Sequence, residues 1–308
     1  MTLTAADPRD PVLDASTVLN LSRRHLPSAT AVTDIDESGG EARTYAIDET
    51  FIFKTQRPHR VRPRTSLEKE VFHLQQLASR APEVSVPRVL GYGHDGDLEY
   101  ILMTRMPGVA MRQVTLDADA RLGLLRELGA SLRQMHDLDP EPFRASQLFP
   151  GDADSSEMRA RVERDLARAI ETASADRQAW TLPLSPEAAA ARAHGGLDTI
   201  AEAPVPLHSN PGPEHVFVDP DTLRLSGVID FGDAYLSHPA LDFRRWAHPR
   251  DRAALMHGYT RTRQLSDSFH SNWRAISITM LMLDFGTRPS RRQESLEGLQ
   301  VLLDDMPS

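Results

Sequence analysis

The residues able to do chemistry gather in one stretch, 205–234. His208-Ser209-Asn210 opens it, His215 follows five positions after Asn210, and Ile229-Asp230-Phe231-Gly232-Asp233 closes an apolar run. A carboxylate at the end of a buried strand can grip a divalent cation against phosphates. A polar side chain twenty residues earlier, on a neighbouring turn, can meet an attacking hydroxyl. Phosphoryl transfer needs that layout. Two histidines also raise a zinc hydrolase as a rival, but His208 and His215 lack a third ligand at recognisable spacing.

Two residues outside this stretch belong with it. Lys54 closes the apolar strand Phe51-Ile52-Phe53, and Glu70 lies within SLEKEVFHLQQLAS, residues 66–79. Leu67, Val71, Leu74 and Leu77 give that segment an amphipathic helical pattern. A lone Lys at a strand end is ordinarily a solvated residue. A Lys followed by a Glu on the next helix can instead be held in place by it and aimed at phosphates.

These side chains need elements to carry them. The two polar clusters of 205–234 fall on β-like segments joined by Asp219-Pro220-Asp221, a strong turn signal, so a hairpin with a cluster at each end is expected. Asp14 or Ser16 caps a helix over 16–26. Strands fill 30–55, with turns at Gly39-Gly40 and Glu49-Thr50. Ser38-Gly39-Gly40 reads either as a phosphate-covering loop or as a plain hairpin turn. Arg57, Arg60, Arg62 and Arg64 form a loop that is either solvated or a phosphate attractant. Periodicity predicts helices over 117–136, 155–175, 186–199 (with a break at Gly195-Gly196), 250–262, 266–286 and 291–304, and an irregular stretch over 139–154. Trp246 and Trp273 read as core residues.

Composition sets bounds. The chain has 308 residues, enough for two lobes, and 40% hydrophobic content without a long apolar run. No membrane span is expected. The polar N-terminus lacks the apolar core of a signal peptide, so a cytoplasmic location is the default. The chain has no cysteine, which excludes disulfides, thiolate metal sites and thiol catalysis. A net charge of −9 argues against nucleic acid as the main partner.

On these residues the chain resembles the antibiotic phosphotransferases, the aminoglycoside and macrolide kinases that share the protein-kinase fold. In that family the first loop reads His-x-Asp-x-x-x-x-Asn, or ends in His in the macrolide kinases. The second reads Ile-Asp-Phe/Trp-Gly/x-Asp/Glu. The resemblance covers roughly 30–290 and implies an α+β, two-lobed fold. Residues 1–106 would form an N-lobe of antiparallel sheet with one key helix. Residues 107–308 would form a mainly helical C-lobe bearing the catalytic hairpin and the substrate-binding helices.

The same resemblance implies ATP or GTP as donor, Mg²⁺ as cofactor, and a small hydroxylated acceptor, an antibiotic above all. Lys54 would contact the phosphates and Glu70 would hold it. Glu68 competes for that role, but the family's Glu-x-x-x-Leu spacing picks out Glu70 with Leu74. Met103, before the Thr104–Gly108 connector, either flanks the base or is simple core. Asp230 would bind Mg²⁺ with His215 assisting, His208 would brace the loop, and Asp242 would support it through backbone hydrogen bonds.

Asn210 stands where the family has its catalytic Asp. An amide oxygen can accept a hydrogen bond but has no useful basicity, and a positioned base contributes about 10²–10⁴ in rate. Three explanations stay open: a substitution made to trap a complex, a natural nucleotide-binding pseudokinase acting as a binding or regulatory module, or an active enzyme with another base, for which Asp233 is the nearest candidate.

Overall fold

The computed structural model describes residues 12–36, 40–57 and 66–305. The chain begins with α1 (Ala15–Arg23), capped by the Asp14 carboxylate on the Thr17 N–H. β1 (Val32–Asp36), β2 (Ala42–Ile47) and β3 (Phe51–Gln56) follow, then α2 (Leu67–Arg80), β4 (Val89–Asp95) and β5 (Leu98–Thr104). The five strands form one antiparallel sheet in the order β1-β2-β3-β5-β4. Ser38 and Gly39, and Arg60, Arg62 and Arg64, lie outside the described residues.

The two faces of this sheet have different jobs. Side chains alternate along a strand. Phe53, paired with Leu102, joins Tyr45, Tyr100, Val18 and Leu21 in a small core under α1. Lys54, paired with Ile101, therefore points to the opposite face, where α2 lies. The strand does not end at Lys54: it runs on to Gln56, so the lysine is interior to the sheet and 7% exposed. Sequence had set the end two residues early because the apolar run stops there.

Ser66 caps α2 by accepting from the Lys69 N–H. Its buried stripe is Glu70, His73, Leu74 and Leu77, spaced as one helical face, so a charged residue rides with the apolar ones. After β5, Pro107-Gly108 carries the chain away from the sheet. Gly108 has φ 83°, and a Cβ there would stand 2.2 Å from the Val218 carbonyl oxygen, so only glycine fits.

The second half is mainly helical. β6 (Val109–Ala110) pairs with β8 (Val216–Val218), which pairs with β9 (Leu225–Val228). α3 (Ala118–His136) is capped by Asp117. The stretch expected to be irregular contains a short helix, α4 (Glu141–Ala145), started by prolines at its N-terminus. α5 (Ser155–Ser174) and α6 (Pro186–Gly195) come next, and α6 stops at the glycine pair. β7 (Val205–Leu207) and β10 (Tyr235–Ser237) form a separate two-stranded ribbon. α7 (Pro249–Tyr259), α8 (Phe269–Thr287) and α9 (Arg292–Asp304) complete the chain. Trp246 and Trp273 are core residues, each 2% exposed. No helix among the described residues is long and apolar enough to cross a membrane.

The hairpin differs from expectation in one respect. Asp219 does turn the chain, between β8 and β9. The segment before His208 is not part of that hairpin: it is β7, paired with β10. The 208–215 loop is thus slung between two small sheets and anchored on both sides.

Candidate active site

Lys54 and Asp230, 176 residues apart, meet where the large sheet faces the turn after β9. Lys54 Nζ donates to Glu70 Oε2 at 2.7 Å and to Asp230 Oδ1 at 2.8 Å. Glu70, not Glu68, is the partner: Glu70 is fully buried and Glu68 is exposed. Burial alone would push the Lys54 ammonium down, but Asp230 and Glu70 outweigh it and hold the group above its ordinary value. Burial raises the Glu70 carboxyl, and Lys54 only partly offsets it. Burial also acts to raise Asp230, but Lys54 and then His215 win and hold it well below the carboxylate range.

Asp230 has φ 73° and Ser209 φ 79°. Such left-handed backbone in a residue with a Cβ is strained by about 1–2 kcal/mol. Both functional turns are therefore held by their surroundings rather than by local preference.

The surroundings are explicit. The Asp242 carboxylate accepts from the backbone N–H of His208 at 2.9 Å and of Ser209 at 2.7 Å. It also accepts from His136 Nε2 at 3.0 Å, and the Tyr259 hydroxyl donates to His136 Nδ1 at 2.9 Å. Burial acts to raise Asp242, but the His136 hydrogen bond and the neighbouring donors lower it below its ordinary value. His208 donates from Nε2 to the Ile229 carbonyl at 2.8 Å, tying the loop to the turn that carries Asp230. Burial pushes the His208 imidazole down, so it is the neutral form that does this.

His215 lies between Asn210 and Asp230. Its Nδ1 donates to the Asn210 carbonyl at 2.8 Å. Its Nε2 stands 3.3 Å from Asp230 Oδ2. A hard divalent cation suits this donor set. Magnesium is commonly held by one or two carboxylates plus substrate phosphates rather than by a protein cage. No group of three or more His, Cys, Asp or Glu residues able to hold a metal occurs among the described residues.

Met103 is 6% exposed and packs in the large core. It pairs with Ile52, so it shares the sheet face of Lys54, one pleat along. His238 caps the short 3₁₀ turn Pro239–Phe243 by accepting from the Ala240 N–H.

Sequence reasoning missed Arg245. Its Nη1 donates to Asn210 Oδ1 at 2.8 Å and to Glu214 Oε1 at 2.7 Å. His136, through its hydrogen bond to Asp242, also supports the loop. Arg245 lies within the DFRRW run, and nothing in its spacing points back to residue 210. His136 closes a helix in a Met-His-Asp-Leu pattern that reads as local.

A two-lobed, kinase-like molecule with a lysine–carboxylate site at the lobe junction is the class that fold and site define. The sequence profile of the phosphotransferase enzyme family matches residues 34–273, and the chain belongs to that family. Solved structures of similar fold include macrolide 2'-phosphotransferase MphH from Brachybacterium faecium. It is 18% identical, with a TM-score of 0.64, over 96% of this chain and 99% of that one. The GDP and kanamycin complex of APH(2'')-IIIa is 16% identical, with a TM-score of 0.63, over 93% and 97%. Spectinomycin phosphotransferase APH(9)-Ia with ADP and spectinomycin is 13% identical, with a TM-score of 0.61, over 94% and 97%. No curated protein sequence matches.

Proposed function

We propose that this chain transfers the γ-phosphoryl group of ATP or GTP to a hydroxyl of a small molecule, with an antibiotic as the acceptor class. The observation that carries the reading is the junction of Lys54 with both Glu70 and Asp230. Three charged residues from α2, β3 and the turn after β9 have no packing reason to meet. They have a reason to meet at a triphosphate.

Lys54 holds the donor phosphates and Glu70 keeps it aimed. Asp230 and His215 would hold Mg²⁺, directly or through water. Bound there, the metal would neutralise charge on the phosphate oxygens. Met103 lies beside the connector, where a nucleotide base would rest. His208 fixes the loop, and Asn210 addresses the transferring end. Solved structures of similar fold hold GDP with kanamycin, or ADP with spectinomycin, which supports a nucleotide and an antibiotic as the two ligands.

A second reading is a nucleotide-binding pseudokinase. What favours it is Asn210, whose side-chain oxygen is no useful base and already accepts from Arg245. A thermal-shift screen of antibiotics with Mg²⁺ and each nucleotide, followed by mass spectrometry of any antibiotic that binds, separates the two. Phosphorylated product supports the transferase. Nucleotide binding with no product on any hydroxylated ligand supports the pseudokinase. No nucleotide binding, or binding unaffected by Lys54→Met, overturns both.

A further inference from the structure

The Asn210 backbone is already engaged. Its N–H donates to His208 Nδ1 at 3.3 Å, and its carbonyl accepts from His215 Nδ1 at 2.8 Å. Only the side-chain fork is left to act. One prong, Oδ1, accepts from Arg245 Nη1 at 2.8 Å. A guanidinium only donates, so the prong that faces it has to be the oxygen. The other prong, the amide nitrogen, makes no hydrogen bond among the described residues and is not sealed from solvent. It is the prong that a ligand would meet.

Arg245 is not free to turn. Its side chain is 8% exposed and is held by Glu214, through Oε1 at 2.7 Å and Oε2 at 3.3 Å, and by Glu294 Oε1 at 3.3 Å. The loop closes round it. A Cβ on Gly212 would stand 3.0 Å from Arg245 Cζ, and Trp246 donates from Nε1 to the Pro211 carbonyl at 3.1 Å. A buried cation aimed at one prong of residue 210 suits a carboxylate there as well as it suits an amide. What differs is the open prong. In an Asp it is an oxygen, which can accept the proton of a hydroxyl. In Asn210 it is an N–H group, which cannot.

We propose that Arg245 is a positioning residue that pins the side chain at 210 by one prong, so that the open prong alone meets the acceptor hydroxyl. The proposal rests on the transferase reading above. Asn210 then meets the hydroxyl as a donor to its oxygen, and the hydroxyl proton is left without a partner at this position. An Asp pinned in the same way would turn its open oxygen to that proton. As the bond from the acceptor oxygen to phosphorus forms, the bond from phosphorus to the nucleoside diphosphate oxygen breaks, and the proton passes to the open carboxylate oxygen. The socket for such a carboxylate is intact in this chain, and a single atom of residue 210 decides whether it is used.

One set of variants, measured in two ways, tests this. Urea unfolding at pH 7 of Asn210→Asp, Arg245→Met and the double variant gives the coupling between the two positions. Asn210→Asp should be tolerated beside Arg245 and should destabilise the Arg245→Met chain, a coupling of about tenfold or more in the unfolding constant. Hydrolysis of ATP and GTP with Mg²⁺, water standing in for the acceptor, gives the second reading. Asn210→Asp is expected to raise kcat by about a hundredfold. Adding Arg245→Met should remove most of that gain while the nucleotide KM stays within about twofold, and Arg245→Lys, which can still donate to one prong, should keep part of it. Calorimetric nucleotide affinity reports whether each variant is folded, and if Arg245→Met is not, Arg245→Lys carries the same comparison. With nucleotide binding intact, either no gain in kcat from Asn210→Asp or a gain indifferent to residue 245 overturns this proposal alone. So does a coupling below about twofold. Absence of nucleotide binding by the unaltered chain overturns it together with the transferase reading.

Discussion

The two ends of the site are built on different electrostatic plans. At the Lys54 end, three full charges from three elements meet, and carboxylates outnumber ammonium groups two to one. At the Asn210 end, a neutral amide leans on an arginine whose own charge is already met by Glu214 and Glu294. The first end has an excess of negative charge that a divalent cation would balance. The second has its charge already balanced within the protein. The contrast teaches that an added cation has a role at the first end and none at the second.

Three measurements break or sharpen that contrast. Lys54→Met should have the largest effect. It leaves Glu70 buried and unpaired, a loss of about 3–5 kcal/mol at pH 7, read by guanidinium unfolding. The loss should shrink as pH falls, because burial already pushes the Glu70 carboxyl up and protonation removes the orphaned charge. A loss under about 1 kcal/mol would mean that the ion pairs are ornamental and the contrast false.

Asp242→Asn comes next and acts on the other end. It replaces a charged acceptor of three hydrogen bonds, and about 2–3 kcal/mol should be lost. Amide hydrogen exchange at His208 and Ser209 should rise together. Asp242 is held below its ordinary value of 3.8. Its stabilisation is therefore fully present above that pH and is lost as pH falls through the lower native value.

His73→Phe should have the smallest effect at neutral pH, within about 1 kcal/mol. His73 is fully buried among Phe143, Phe149 and Phe231, and neither ring nitrogen has a hydrogen-bond partner among the described residues. Burial pushes its pKa down to about 3, from 6.5. The unfolded chain therefore binds the extra proton between those values. Native stability should fall by about 1.4 kcal/mol per pH unit below 6.5 on account of this group. Urea unfolding at pH 7 and pH 5.5 should show the unaltered chain losing more than the variant. Equal slopes would show that His73 is not the acid-sensitive joint between α2 and the Asp230 turn.

Much of the scaffold was legible. Asp14, one of the two expected caps, caps α1, and period-two alternation puts Lys54 opposite Phe53. The order Lys54, Glu70, His208, Asp230 was enough to suggest a common site; Lys54 reaches both Glu70 and Asp230, and His208 ties the loop to the Asp230 turn through the Ile229 carbonyl. The partner of β7 was not legible. Val205-Pro206-Leu207 is apolar enough to pair with either neighbour, and three residues carry too little pattern to choose β10. Met103 stayed double-valued for a related reason: a buried methionine beside a connector serves core and base pocket with the same surface.

What the sequence determined by itself is the kind of chemistry on offer, because strand alternation, helix caps and motif spacing are short-range effects written into neighbouring residues. Only the tertiary structure decided which atoms are already taken. Arg245 lies 35 residues from Asn210, and His136 lies 106 from Asp242. Whether an amide shows its oxygen or its nitrogen to a ligand depends on a buried cation brought there by the packing of the whole C-terminal half, and no local pattern encodes that.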